Sequence, residues 1–256
     1  MSTLTEKWIN ALRARGIRVK DWRGQLPMHR SKRWAKRDTD RLEGVCWHHS
    51  AGSRITEAAW EPMARYHVGP NHISKTGCPG LTYTAGVTAA GHLYVFWDLD
   101  RMTWSQKGGN TTHIGIVLLG SFSSAANSYP TGPSRSQVWA VRTVSLVTAE
   151  VLGTELKGTR THADFSRTDC PGDEINALVR HHLRGEPRAL FANVRERQRA
   201  LADLGGMLRV DGIWGPESRR ALEAFQRNNG LTVDGLWGPK TEAVVLRALE
   251  AKGEVA

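Results

Sequence analysis

The chain has only three cysteines in 256 residues, Cys46, Cys78 and Cys170. Three thiols cannot all pair and these form no dense framework, so a disulfide-stapled fold is excluded. A cysteine that matters here is better suited to be a ligand or a nucleophile. Long apolar runs are missing too, and none approaches the roughly 20 residues a membrane span needs. The opening "MSTLTEKWINALRARG" carries charges too early and too often for the apolar core of a secretory signal. Acidic residues are in deficit, 25 against 35 basic ones, for a net charge of +10. Residues 1–43 hold twelve Lys and Arg against five Asp and Glu, whereas residues 187–256 hold eleven against nine. Most of the excess therefore lies in the N-terminal segment. Such a segment fits polyanions, whether nucleic acid, anionic lipid or anionic wall polymers, and equally fits a solvated face that serves solubility.

What is present includes an internal repeat. "VDGIWGPESRRALEAFQ" (210–226) and "VDGLWGPKTEAVVLRAL" (233–249) share V-D-G-x-W-G-P at an offset of 23 residues. Asp-Gly favours a turn, and Pro216 and Pro239 suit the first turn of a following helix. Ala221, Leu222 and Phe225 fall on one helical face. With "ALFANVRERQRALADL" (189–204) as a preceding helix, a compact three-helix module is expected. The pair of motifs, enclosing "ALEAFQRNNGL", resembles the peptidoglycan-binding module of wall hydrolases over 189–250. Both tryptophans also suit core anchors, so the binding expectation rests on the resemblance. The boundary is expected in "HHLRGEPRA", where Gly185 and Pro187 separate two helices.

Residues 1–186 alternate strand-like and helix-like segments. "GVCWHHSAG" and "GHLYVFWD" are expected strands, and "HIGIVLLGSF", which shows no alternation, is expected as a strand buried on both faces. "TEAAWEPMARYH", a long helix capped by Ser134 and Gln137, and "PGDEINALVRHHLRG" are expected helices. Val138, Val141, Val144, Val147 and Val151 recur along the long one at three- or four-residue spacing. The expected class is α/β: a central mixed β-sheet flanked by helices (1–186), plus a small three-helix C-terminal domain (187–256).

A catalytic zinc takes three protein ligands and leaves one position open. His48 ends a predicted strand, His162 lies in a loop, and Cys170 precedes a helix start, which would lower its pKa. As bare residue types this trio is as readily structural as metallic. Four blocks, "VCWHHSAG", "GLTYTAGV", "GGNTTHIGIVLLGSF" and "THADFSRTDCPG", resemble in order and spacing the zinc amidases that include phage lysins and peptidoglycan recognition proteins. The resemblance spans about 28–180. It implies His48, in preference to His49, with His162 and Cys170 as zinc ligands. It further implies Tyr83 and Thr168 as catalytic groups beside the scissile carbonyl, and Asn110 as a contact to the stem peptide, a residue that equally suits stabilising its own loop. The bond cut in that family joins N-acetylmuramic acid to L-alanine. This chain departs from many relatives at Ser105, where they carry His, and at Val117, where they carry Glu. Asp164 is expected either to orient a ligand or, by slight preference, to solvate its loop. Cys46 is expected to be a small core residue, and Cys78 to shape the turn that delivers Tyr83.

The resemblance thus implies a zinc-dependent N-acetylmuramoyl-L-alanine amidase with a wall-binding module, of the kind a phage endolysin carries. Such an enzyme would collect in the host cytoplasm and reach the wall after a separate protein permeabilises the membrane. Expected partners are peptidoglycan and anionic wall polymers, with no nucleic acid and no membrane span, and the protein is expected to be a monomer. The alternatives are a non-catalytic peptidoglycan sensor, against which Cys170 speaks, and a nucleic-acid-binding protein, for which the four blocks leave little room.

Overall fold

The computed structural model describes residues 3–123, 132–184 and 193–252. Two compact units divide the chain, Met1–Glu186 and Pro187–Ala256. The expected boundary residues, Gly185 and Pro187, lie outside the described residues.

The first unit opens with helix α1 (Leu4–Ala14), which the reading of this segment as a charge carrier does not anticipate. Thr3 and Glu6 close a capping box on its first turn. Trp8, Ile9 and Leu12 point into the core, and Trp8 Nε1 donates to Thr148 Oγ1 at 2.8 Å. Then follow β1 (Val19–Asp21), β2 (Gly44–His49), α2 (Trp60–Val68), β3 (Ala85–Val87), β4 (Leu93–Val95) and β5 (His113–Leu118). Helix α3 (Arg135–Leu152), β6 (Arg160–Thr161) and α4 (Asp173–Ala177) complete the unit, α4 continuing as a π-helical turn, Leu178–Leu183. The Ser134–Gln137 capping box forms as expected.

The strands make one mixed sheet in the order β1-β4-β3-β5-β2-β6, antiparallel only between β3 and β4. All residues of β2 and β5 are buried, because helices cover both faces of these central parallel strands. On one face α1, α3 and α4 pack Trp8, Leu12, Val141, Val144, Val147 and Ile175 against Val45, Trp47, Ile114 and Ile116. On the other, Trp60 and Ala64 of α2 pack against Tyr94, Phe96 and Val117. Side chains alternate along a strand. Cys46 and His48 therefore share the face opposite to Val45 and Trp47.

The N-terminal segment is less of a free basic surface than its composition implies. Arg15 pairs with Glu150 and Arg23 with Asp21. Lys32 donates to the carbonyls of Thr76 and Gly77, and Arg37 is buried against those of Leu99, Asn110 and His113. Helices and loops built from so basic a stretch turn several of its charges onto carbonyl groups.

In the second unit α5 (Val194–Asp203), α6 (Pro216–Asn228) and α7 (Pro239–Ala251) enclose Leu201, Leu222, Phe225, Val245 and Leu249. The expected helix at 189–204 is thus described from Val194; residues 189–192 lie outside the described residues. Each repeated turn is gripped by a buried glutamine. Gln198 Nε2 donates to Asp211, the Ile213 carbonyl and Ser218, while its Oε1 accepts from the Gly212 N–H. Gln226 does the same with Asp234, the Leu236 carbonyl, Thr241 and the Gly235 N–H. Gly212 and Gly235 have φ of +82° and +66°, which glycine adopts without strain. Trp214 and Trp237 meet edge to face, centroids 6.1 Å apart, and pack on the core.

Candidate metal centre

His48 is the fifth residue of β2, directed to the α2 side of the sheet. Strand β6 pairs with β2 at Cys46–Arg160 and Trp47–Thr161, so the turn that follows, His162–Asp164, starts beside His48. The two rings have centroids 4.7 Å apart. Asp164 holds that turn: its Oδ2 accepts from the Thr161 N–H at 2.8 Å and from Arg184 at 3.0 Å, with Arg180 nearby. Its carboxyl stays below the usual range because those donors outweigh its burial, which pulls the other way. The preferred expectation of a loop-solvating carboxylate is therefore corrected. Asp164 ties the His162 turn to the segment after α4.

Cys170 arrives from the second Cys-Pro-Gly. Its Sγ accepts from the His49 N–H at 3.3 Å and lies 3.8 Å from His48 Nδ1. Gly172 has φ +98°, and a Cβ there would strike the Phe122 backbone, so only glycine lets this turn dock. The ligand atoms of His48, His162 and Cys170 all lie within 4.8 Å of one another. Two imidazoles and one thiol in one half-buried cluster fit the donor chemistry of a catalytic zinc, with three protein ligands.

Burial sets the charge state. It pushes the Cys170 thiol up to about 12, with the His49 N–H opposing. The expectation of a thiol acidified by a helix start fails, because α4 begins three residues later and desolvation dominates. Burial and the neighbouring His162 hold His48 well below the usual histidine range, and burial lowers His162 as well. All three donors are thus neutral at pH 7 in the bare pocket.

Tyr83 stands over the cluster, its ring 5.2 Å from that of His48. It is delivered by the first Cys-Pro-Gly. Cys78 is buried, its N–H donates to the His67 carbonyl at 2.8 Å, and Trp97 Nε1 holds the Leu81 carbonyl at 2.8 Å. Burial, with the thiols of Cys170 and Cys46 behind it, pushes the Tyr83 hydroxyl above the usual phenol range. It stays protonated and can donate. Thr168 Oγ1 accepts from the Cys170 N–H at 3.2 Å, which leaves its O–H proton free to donate elsewhere.

Other expectations distribute differently. His49 is a hydrogen-bonding neighbour, its Nδ1 accepting from the Phe122 N–H at 3.1 Å. Asn110 is held in its own loop, where its Oδ1 accepts from the Gln106 N–H at 2.9 Å. Val117, fully buried, pairs with His48 across the sheet, so a Glu there would have stood beside that histidine. Cys46 is buried as expected, but its Sγ lies 3.4 Å from His48 Nε2, closer to the site than a mere filler. Gln106, which accepts at Oε1 from His48 Nε2 at 3.1 Å, is a site residue that sequence reasoning missed. The signal lay beside Ser105, in the stretch where the chain departs from its relatives.

A mixed sheet flanked by helices, with His162 and Cys170 gathered around His48 of its central strand β2, defines the class of amidase-like folds. Residues 38–173 match the N-acetylmuramoyl-L-alanine amidase family, and the chain belongs to it. Residues 192–245 match a putative peptidoglycan binding domain. Among curated proteins no sequence matches. Similar solved structures include the bumblebee peptidoglycan recognition protein SA, at 16% identity and a TM-score of 0.53, covering 67% of this chain and 99% of that one. Another is Drosophila PGRP-LB, at 17% identity and a TM-score of 0.51, with coverages of 64% and 92%. The endolysin amidase LysCS from Clostridium intestinale aligns at 16% identity and a TM-score of 0.40, covering 59% of this chain and 89% of that one. These likenesses bear on the fold alone. Among the described residues no helix is long and apolar enough to cross a membrane.

Proposed function

We propose that unit 1–186 hydrolyses the amide between N-acetylmuramic acid and L-alanine with zinc held by His48, His162 and Cys170, and that unit 187–256 binds peptidoglycan. The observation that carries this reading is the complete donor set, within 4.8 Å, in an amidase fold. A zinc bound there supplies a Lewis acid that lowers the pKa of water and polarises the amide carbonyl. The side chains do the rest. His48 and His162, kept neutral by burial, present nitrogen lone pairs. Tyr83, kept protonated, donates its hydroxyl to the carbonyl oxygen where negative charge develops, and Thr168, whose Oγ1 accepts from the Cys170 N–H, has its own hydroxyl proton to donate there as well. Asn110, whose Oδ1 anchors the Gln106 N–H, is proposed as a contact to the stem peptide. The presence of Cys170 argues against a sensor that only binds. An amidase joined to a wall-binding module suits a phage endolysin. It would act as a monomer after another protein opens the host membrane, with peptidoglycan and anionic wall polymers as partners and no nucleic acid.

The test is digestion of purified peptidoglycan with and without a chelator, followed by product analysis. New amino groups on L-alanine without new reducing ends are expected, and their loss in Cys170→Ser. Activity retained by Cys170→Ser after complete metal removal would overturn the zinc assignment.

A further inference from the structure

We propose that Gln106 is the positioning residue that prepares His48 for a metal: it holds the Nε2–H of the ring, so that Nδ1 is the nitrogen left to coordinate. The inference rests on the metal reading above and adds a residue to it.

The two nitrogens of His48 have different surroundings. Nδ1 faces the donor cluster, 3.8 Å from Cys170 Sγ. Nε2 faces away from it, 3.1 Å from Gln106 Oε1. Which end of the Gln106 amide meets the ring is decided on its far side. Gln106 Nε2 lies 3.1 Å from the carbonyl oxygen of His113, which can only accept. The amide nitrogen must stand there, so the amide oxygen faces His48. An amide oxygen only accepts as well, so His48 Nε2 carries the proton. A neutral imidazole protonated at Nε2 has its lone pair at Nδ1, toward Cys170. Gln106 is 1% exposed, so water does not compete for either end.

The surroundings hold this amide firmly. Ser105 Oγ donates to the same Oε1. The Gln106 N–H is anchored on Asn110 Oδ1, and Arg37 grips the carbonyls of Asn110 and His113 at 2.8 and 2.7 Å. Gly115, opposite Cys46 in the sheet, makes the room. A Cβ at Gly115 would run into the Ser105 side chain and come 2.9 Å from Gln106 Oε1. Partners of this kind fix ring orientation and tautomer, and their loss costs about 10–100-fold in metal affinity.

Imidazole nitrogen-15 spectra of the metal-free, full-length protein report the tautomer directly. His48 is expected in the Nε2–H form, and the Nδ1–H form would overturn the proposal. In parallel, zinc affinity is measured by competition with a chromophoric chelator, and site geometry by cobalt(II) absorption, for Q106M and Q106E. Q106M lacks the acceptor and is expected to bind zinc about 10–100-fold more weakly at unchanged circular dichroism. Q106E keeps an oxygen acceptor while losing the bond to His113, and is expected near the wild-type affinity. A purely structural role would damage both alike. Folded Q106M with wild-type zinc affinity sinks this inference alone, whereas a wild-type protein that binds no zinc sinks the metal reading. Should Q106M fail to fold, the tautomer spectrum decides.

Discussion

Single residues in this protein are governed chiefly by desolvation. His67 is 5% exposed and accepts the Thr82 N–H at Nδ1. Burial, with a smaller push from His72, lowers it to about 4. The folded chain therefore refuses a proton that the unfolded chain takes up near pH 6.5. Stability from this group is complete above pH 6.5, falls with the pH between 6.5 and 4, and is level below. Over that window the loss is roughly 3 kcal/mol. Denaturant unfolding of the metal-free protein from pH 7 to pH 4 is expected to show this decline, and His67→Gln to flatten it. The proposed trio of His48, His162 and Cys170 was legible through four blocks that resemble a family, since residue types alone left it open, and its donor atoms do come together. The acidity of Cys170 was not. A sequence shows the helix start but not the depth of burial, and burial reversed the sign.

At the scale of elements, periodic segments were the legible ones. The five valines of α3 fall on its helix as read, and the strand read over 113–122 forms as β5, which stops at Leu118. Helix α1 was hidden behind its charges, although Thr3 and Glu6 already spelled a capping box and Trp8 and Leu12 an apolar face. Strands β1, β3 and β6 run three residues or fewer, too short to show any period. In the second unit the Trp-Gly-Pro motif was visible, while the glutamines that organise it were not, since they act at unequal distances from the turns they grip. Gln198→Leu or Gln226→Leu leaves the turn N–H at Gly212 or Gly235 and the Asp carboxylate without that partner. Each is expected to destabilise the second unit by about 1–3 kcal/mol. Comparing the unfolding of that unit in full-length variants and wild type checks it, and an unshifted transition would contradict the clamp.

For the molecule as a whole, two compact units with separate cores correspond to two regions that sequence patterns had already marked, one by four blocks and one by a repeat. What composition misjudged was the charge. A net of +10 says how many cations there are, and folding decided that Arg37 and Lys32 would face carbonyls rather than solvent.

His48 and Cys170 lie 3.8 Å apart in space and 122 residues apart along the chain. A metal shared by them is, topologically, a removable cross-link that closes a very long loop. By the chain-entropy estimate for a covalent bridge, closing a loop of about 100 residues is worth some ~4.7 kcal/mol. With a metal bound, the cluster would therefore double as a lock on the fold of the first unit. Chelation is expected to lower its melting temperature by several degrees, reversibly, with zinc restoring it and Cys170→Ser removing the response. An enzyme fastened in this way would resist unfolding only where zinc is in supply.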